Sequence, residues 1–381
     1  MDNEPPQQPS TPSVPEPTPV PSPIPTPPPA PTPTPPQQPR KPWLIVTLCI
    51  VIIILFGVIG WLIWQSSTKA PVATTTQTTQ TTTEQTPTTQ QPVQGQQLDV
   101  AKNYGNKYSN NLLPVGDGKY VTTSPKQGYV YACSQYAHNL TTDSGGASVR
   151  GPWFTNNNTQ YDMSKKVKVS GSVSWHGSFS NTVKGDTRTI TTNDLPVSDP
   201  TGVFPIKSSD AAYQYDRNPN TIQAQTITYS FPTAPTYNET PNCESGTVGI
   251  MLTGVELNNG FDAGGRDAGA WEVQDGCSGH PQAQGEYHYH TLSSCIKDTS
   301  VHTVIGFALD GFPITGPTVG PNNVLTTADL DECHGIVSSV TLDGQTTTMY
   351  HYVMTQDFPY SVSCFRGTPM ELSAPAFNAH R

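Results

Sequence analysis

Apolar positions along this chain follow three different patterns. Residues 43–64 (WLIVTLCIVIIILFGVIGWLIW) form one unbroken apolar run without a charge. At about 1.5 Å of rise per residue the run predicts a helix of roughly 33 Å, long enough to cross a bilayer. Trp43 at one end and Trp61 and Trp64 at the other suit the two interfaces. A cleaved signal peptide fits less well, because about forty residues precede the run and no A-x-A site follows it closely. On both sides of the run, residues 1–42 and 65–98 show no periodicity that could bury a face. Beyond residue 98 the pattern becomes one of short alternations. Val167, Val169, Val173 and Trp175 share one parity, as do Ile227, Tyr229 and Phe231, and each set predicts a half-buried strand. Val248–Leu257 and Val304–Leu309 read as more buried strands. Ile336–Leu342 and Gln345–Met354 flank Asp343-Gly344, a two-residue hairpin signal.

Long helical periodicity is absent from this part. The expected fold is a mainly β ectodomain, sandwich-like or made of two related β units with long loops, preceded by a disordered tail, a single transmembrane helix and a disordered stalk. The expected boundaries are 1–42 for a Pro-rich cytoplasmic tail, 43–64 for the transmembrane helix and 65–98 for a Thr/Gln-rich linker. The N-terminal part of the β-rich ectodomain is expected over 99–245, and a C-terminal domain over 246–381.

Composition sharpens these boundaries. Of 39 Pro, 19 fall within residues 1–42, where PxxP steps predict extended polyproline II, a solvated tail with room for a cytoplasmic partner. Of the 34 residues 65–98, 21 are Gln or Thr, the make-up of a polar spacer. The remaining 283 residues hold 16 Lys+Arg against 25 Asp+Glu, a balance of −9 within the −10 of the whole chain. That acidity argues against nucleic acid and anionic lipid surfaces as partners and leaves a cell-surface or envelope ligand. Arg40 and Lys41 precede the apolar run and only Lys69 follows it closely. The membrane is therefore an integral partner crossed once, with the N-terminus cytoplasmic and the C-terminal part extracellular.

Cysteine usage agrees with an oxidising compartment. Beyond Cys49 in the apolar run, six remain: Cys133, Cys243, Cys277, Cys295, Cys333 and Cys364. An even number predicts three disulfides, with fifteen connectivities open in principle. A degenerate internal repeat narrows them. Asp275-Gly-Cys-Ser-Gly-His280 precedes Tyr287-His288-Tyr289, and Cys295 follows. Asp331-Glu-Cys-His-Gly335 precedes Tyr350-His351-Tyr352, and Cys364 follows. The offsets of 56, 63 and 69 grow smoothly, as small loop insertions would make them. Each unit is then expected to close its own bridge, Cys277–Cys295 and Cys333–Cys364, leaving Cys133–Cys243.

The chemistry concentrates in Tyr287-His288-Tyr289-His290. On a strand, His288 and His290 share one face, so two imidazoles can reach one ion without distorting the backbone. Units packed side by side would add His351, with His280 or His334 as a fourth ligand. The expected cofactor is a divalent transition metal, zinc or copper, and three His plus a water would make an open zinc site. Glu286, Asp310 and Glu332 are the candidate general bases. Calcium is a second expected ion, for the Gly-rich loop carrying Asp262, Asp267, Glu272 and Asp275, whose spacing does not fit the EF-hand loop. No G-x-S-x-G elbow, P-loop or H-E-x-x-H helix occurs.

Taken together, GCSGHPQAQGEYHYHTLSSC, HTVIGFALDGFPITGP, LDECHG and YHYVMTQDFPYSVSCFRG resemble the YHYH-domain proteins, named for the tetrapeptide. These motifs cover about residues 246–368, and GPWF, NDLPVSDPTGVFPI and YQYDRNPN extend the similarity upstream. Two positions depart from the family pattern: Val353 stands where a further His is expected, and Thr315 where an aromatic is common. The resemblance implies the protein's class and no defined activity. Three readings follow: a surface module that holds a metal, an extracytoplasmic metal-dependent hydrolase using a metal-bound water, and a disulfide-stapled adhesion domain without metal.

Overall fold

The computed structural model describes residues 94–136, 147 and 149–371. The expected tail, the transmembrane run and nearly all of the Thr/Gln linker lie outside the described residues. Within them, no helix is long and apolar enough to cross a membrane. The fold is mainly β, with few and short helices.

Five short strands come first: β1 (Leu112–Pro114), β2 (Tyr120–Val121), β3 (Val130–Tyr131), β4 (Phe154–Thr155) and β5 (Gln160–Asp162). A meander follows, β6 (Phe179–Lys184), β7 (Thr187–Thr192) and β8 (Ile227–Pro232). Next come β9 (Thr247–Met251), β10 (Glu256–Asn258), the one-turn helix α1 (Ala268–Trp271), β11 (Gly279–Pro281) and β12 (Tyr287–Tyr289). The chain closes with β13 (Val304–Ala308), β14 (Pro313–Thr315), β15 (Thr318–Gly320), β16 (Asn323–Val324), β17 (Gly335–Leu342) and β18 (Gln345–Val353).

The main sheet has eight strands in the order β11-β12-β10-β9-β13-β14-β18-β17. Read outward from the centre, β9-β10-β12-β11 and β13-β14-β18-β17 are the same arrangement. In each half the first two strands form an antiparallel hairpin, the second and third are parallel, and the outer pair is antiparallel. The halves meet where β9 and β13 pair antiparallel, Gly306 opposite Met251, Phe307 opposite Ile250 and Ala308 opposite Gly249. That register places a pseudo-twofold axis through the Ile250–Phe307 pair. Both inner hairpins turn on a glycine with positive φ, Gly254 (φ 88) and Gly311 (φ 89). Gly254 donates to Met251 O at 3.0 Å and Gly311 to Ala308 O at 2.9 Å.

The core explains which sequence signals became strands. Ile190, Tyr229 and Phe231 of the meander are buried in one cluster with Val248, Ile250, Phe307, Ile314 and Tyr352 of the main sheet, a sandwich-like contact. Ile227–Pro232 forms a strand with the alternation read from its sequence. Asp343 (φ 50) and Gly344 (φ 76) make the tight turn between β17 and β18. Val248–Leu257 is a hairpin rather than one strand, because Thr253-Gly254 turns the chain. The stretch from Val167 to Trp175 is not a ladder either. Its bridge is Val173 with Thr201, and Gly171 (φ 105) breaks the extended run. The alternation there reports burial alone: Val169 is buried beside Trp153 and Tyr161 in a second cluster that also takes in Ala270 and Trp271 of α1. At the near end of the expected linker, Val337 donates to Gln96 O (2.7 Å) and Leu98 to Val337 O (2.9 Å), so residues 96–98 already belong to the fold.

Candidate metal centre

Three disulfides close Cys133 to Cys243, Cys277 to Cys295 and Cys333 to Cys364. The last two sit at matching places in the two halves of the main sheet. Beside them the Asp-x-Cys turns also match. Asp275 Oδ1 accepts from the backbone N–H of Cys277 (2.9 Å) and Gly279 (3.2 Å), and Asp331 Oδ1 from those of Cys333 (3.0 Å) and Gly335 (2.8 Å). Tyr287 donates its hydroxyl to Asp275 (2.8 Å), and Tyr350 donates to Asp331 (3.1 Å). The tyrosines of both Tyr-His-Tyr strands are thus buried anchors, and the histidines point to the other face.

On that face, β11 runs antiparallel to β12 with His280 opposite His288. Ring nitrogens of His280, His288 and His290 all lie within 4.8 Å of one another. His288 Nε2 is 3.0 Å from His290 Nε2. Glu272, the residue that ends α1, brings Oε2 to 3.4 Å from His280 Nε2 and 3.3 Å from His290 Nε2. Tetrahedral ligands at about 2.0–2.1 Å from a zinc ion stand roughly 3.3 Å apart, so the 3.0, 3.3 and 3.4 Å separations are of the right size, and the 4.8 Å span of the triad must contract around an ion.

The polar bookkeeping of the site points the same way. His290 Nδ1 faces the carbonyl of Asn259 at 2.5 Å, and His288 Nδ1 faces that of Glu286 at 3.4 Å. A carbonyl only accepts, so Nδ1 carries the proton and each Nε2 presents a lone pair to the centre. Among the described residues neither ring nitrogen of His280 has a hydrogen-bond partner, and nor has Glu272 Oε2. Buried acceptors facing one another are costly unless a proton or cation stands between them. Burial opposes the proton: it pushes His288 down to about 3 and His290 to about 4, and holds His280 well below the ordinary imidazole range. Burial also raises the Glu272 carboxyl well above its ordinary value. A divalent ion would accept the neutral imidazoles that burial already favours and would reverse the preference at Glu272 by favouring the ionised carboxylate.

The surrounding motifs hold this arrangement. Asp267 caps α1 and accepts from Tyr360 Oη (2.6 Å) and Gly116 N (2.8 Å). Trp153 of GPWF donates to Ala270 O at 2.8 Å. Asp216 of YQYDRNPN accepts from Val273 N (2.8 Å), and Asn218 donates to Pro281 O (2.9 Å), which fixes the ends of the 273–281 segment.

Several expected residues lie elsewhere. His351 does not reach the triad, because the halves join through β9 and β13 and not through their Tyr-His-Tyr strands. β12 and β18 are five strand steps apart, about 24 Å at the usual spacing. His351 instead bonds Ser338 Oγ through Nε2 (2.7 Å) and Thr315 Oγ1 through Nδ1 (3.0 Å). The Thr315 departure from the family pattern therefore has a local partner. His334 donates from Nδ1 to Val353 O (2.7 Å) and meets Thr327 Oγ1 at 3.1 Å, which makes it a structural tie.

None of the three candidate bases stands at the centre. Glu286 is paired with Gln282, and Glu332 with Arg366 at 2.6 Å. Asp310 is buried in the second half, accepting from Tyr352 Oη at 2.6 Å, with its pKa pushed up to about 6 by burial. The four acids read as a calcium loop are also dispersed in their duties. Asp262 pairs with Arg266 (2.6 Å), Asp267 caps α1, Asp275 orders its own turn, and only Glu272 faces the histidines. Among the described residues, the one group of three or more candidate ligands is the His280, His288 and His290 triad. Glu272 was missed as its neighbour, although the repeat held a signal. At the offset of 56 relating Asp275 to Asp331, Glu272 falls on Ala328 and His280 on Ile336, so both polar groups belong to the first half alone.

Residues 228–322 match the model of the family described as YHYH protein, so the chain carries a YHYH domain. The match runs from β8 to just past β15 and contains Glu272 and all three histidines of the triad. Comparison with curated proteins and with solved structures finds no match.

Proposed function

We propose that this chain is a single-pass, membrane-anchored surface module whose extracellular YHYH fold holds a divalent transition ion, zinc or copper, on His280, His288 and His290. The observation that carries the reading is the convergence of three imidazoles, each no more than 4% exposed, with Nε2 of His288 and His290 left free of protons by their Nδ1 bonds to carbonyls. Three disulfides and the uncharged 43–64 run support the extracellular, anchored placement. Burial of the triad supports holding a metal over hydrolysis, since a metal-bound water needs a coordination position open to substrate.

The test uses the full chain purified in detergent without chelators. Elemental analysis is expected to return about one zinc or copper per chain, and a metal-free protein that stays so after incubation with either ion overturns the metal assignment. Antibody against a C-terminal tag is expected to stain intact cells. Staining only after permeabilisation overturns the orientation.

A further inference from the structure

The triad leaves one coordination position of a tetrahedron to be filled, and the side chain beside it is one expected in a calcium loop and not among the ligands of the histidine centre. Glu272 Oε2 lies 3.3 Å from His290 Nε2 and 3.4 Å from His280 Nε2 and has no hydrogen-bond donor among the described residues. Its own side chain is 19% exposed, whereas those of His280 and His290 are 5% exposed. It therefore covers the side of the centre nearest solvent.

The backbone fixes that position. Glu272 follows directly on α1, and its N–H still bonds to Ala268 O. Asp267, Trp153 and Asp216 hold the segment from both sides through the bonds already described. Among the described residues nothing donates to this carboxylate oxygen, which instead faces His280 Nε2 and His290 Nε2. The donor set is three borderline imidazoles and one hard oxygen, with no thiolate or thioether, which disfavours copper(I), and separations of 3.0–3.4 Å suit tetrahedral zinc(II) over square-planar copper(II).

We propose that Glu272 is the fourth ligand of a coordinatively closed His3Glu zinc site that fastens the α1 turn to the edge strand β11 and its neighbour β12. The inference rests on the metal reading of the triad and adds to it the closing ligand, the preferred ion and the absence of a free position. It makes the site a bound, non-hydrolytic metal: zinc takes no water, so no nucleophile is generated there. The other half of the sheet offers a parallel without metal, since the turn Thr327–Asp329 is tied to β18 through His334, which bonds both Thr327 Oγ1 and Val353 O.

The experiment compares the full-chain wild type with Glu272→Ala and the isosteric Glu272→Gln, each loaded with zinc and, separately, with cobalt(II) as a spectroscopic probe. Zinc affinity is expected to fall in both variants by more than the 10–100-fold typical of losing an outer-sphere partner. Wild-type cobalt protein is expected to show intense four-coordinate bands that azide does not change. In Glu272→Ala the vacated position admits azide, and the bands shift. Thermal melts of the metal-free proteins check that the variants fold. Equal zinc affinity in all three, or azide shifting the wild-type spectrum as it does the variant's, overturns Glu272 as a ligand while the triad stands. A wild type that takes up neither ion overturns the triad and this inference together.

Discussion

In the first half of the main sheet, the Tyr-His-Tyr strand β12 faces His280 on β11, is followed by His290, and looks toward Glu272. In the second half, β18 faces Ile336 on β17 and ends on Val353, and its own His351 is bonded to Ser338 and Thr315. Strand order, strand direction, the Asp-x-Cys turn, the tyrosine anchored on that aspartate and the closing disulfide are common to both. The comparison separates two jobs that the YHYH tetrapeptide combines. Its tyrosines build the scaffold, since they recur wherever the scaffold recurs. Its histidines make a centre only where the neighbouring strand and loop supply further ligands. A lone histidine in the same register becomes a buried hydrogen-bonding group.

The scaffold part of this comparison is broken most strongly at two glycines. A Cβ on Gly279 would sit 2.3 Å from the Tyr287 ring, and one on Gly335 would sit 2.0 Å from the Tyr350 hydroxyl. Gly279→Ala and Gly335→Ala are each expected to destabilise the fold by about 1–3 kcal/mol, the usual cost of overpacking, and by similar amounts. Urea unfolding of the metal-free proteins measures both. A loss in one half and none in the other would show that the halves do not share their packing.

A smaller effect sharpens the polar part. Burial depresses His351 to about 3, against about 6.5 for an unfolded histidine. The stability carried by its neutral ring is complete above pH 6.5 and lost as pH falls toward 3, by up to about 1.4 kcal/mol per pH unit. Relative to His351→Gln, the wild type is therefore expected to lose up to about 2 kcal/mol between pH 6.5 and pH 5. Denaturant melts at the two pH values read this directly. A gap independent of pH would mean that His351 titrates normally and is not the buried, bonded residue described.

Much of the scaffold was legible in the chain. The Asp-x-Cys and Tyr-His-Tyr spacings exposed the repeat, and the repeat assigned the bridges that the structure forms. Alternation found β8, and Asp343-Gly344 found the outer hairpin. The route by which the halves join was not legible, because nothing local marks Gly249 and Gly306 as the positions where β9 and β13 come together. That gap misplaced His351, which sequence proximity to a matching motif brought into a centre that lies about 24 Å away at ordinary strand spacing. Glu272 was obscured for another reason. An acid in a Gly-rich loop resembles any solvated acid until the fold buries it against three imidazoles. What distinguished it was its absence from the second half, a signal that a single-unit reading does not use.

The central claim is that the two histidines in equivalent strand positions have different fates, one ligating and one structural. Elemental analysis of the purified full chain carrying His288→Ala, beside one carrying His351→Ala, tests this most directly. The account predicts that zinc falls from about one per chain to near zero in the first variant and stays at the wild-type level in the folded second. Zinc retained in His288→Ala, or lost from a folded His351→Ala, would contradict it.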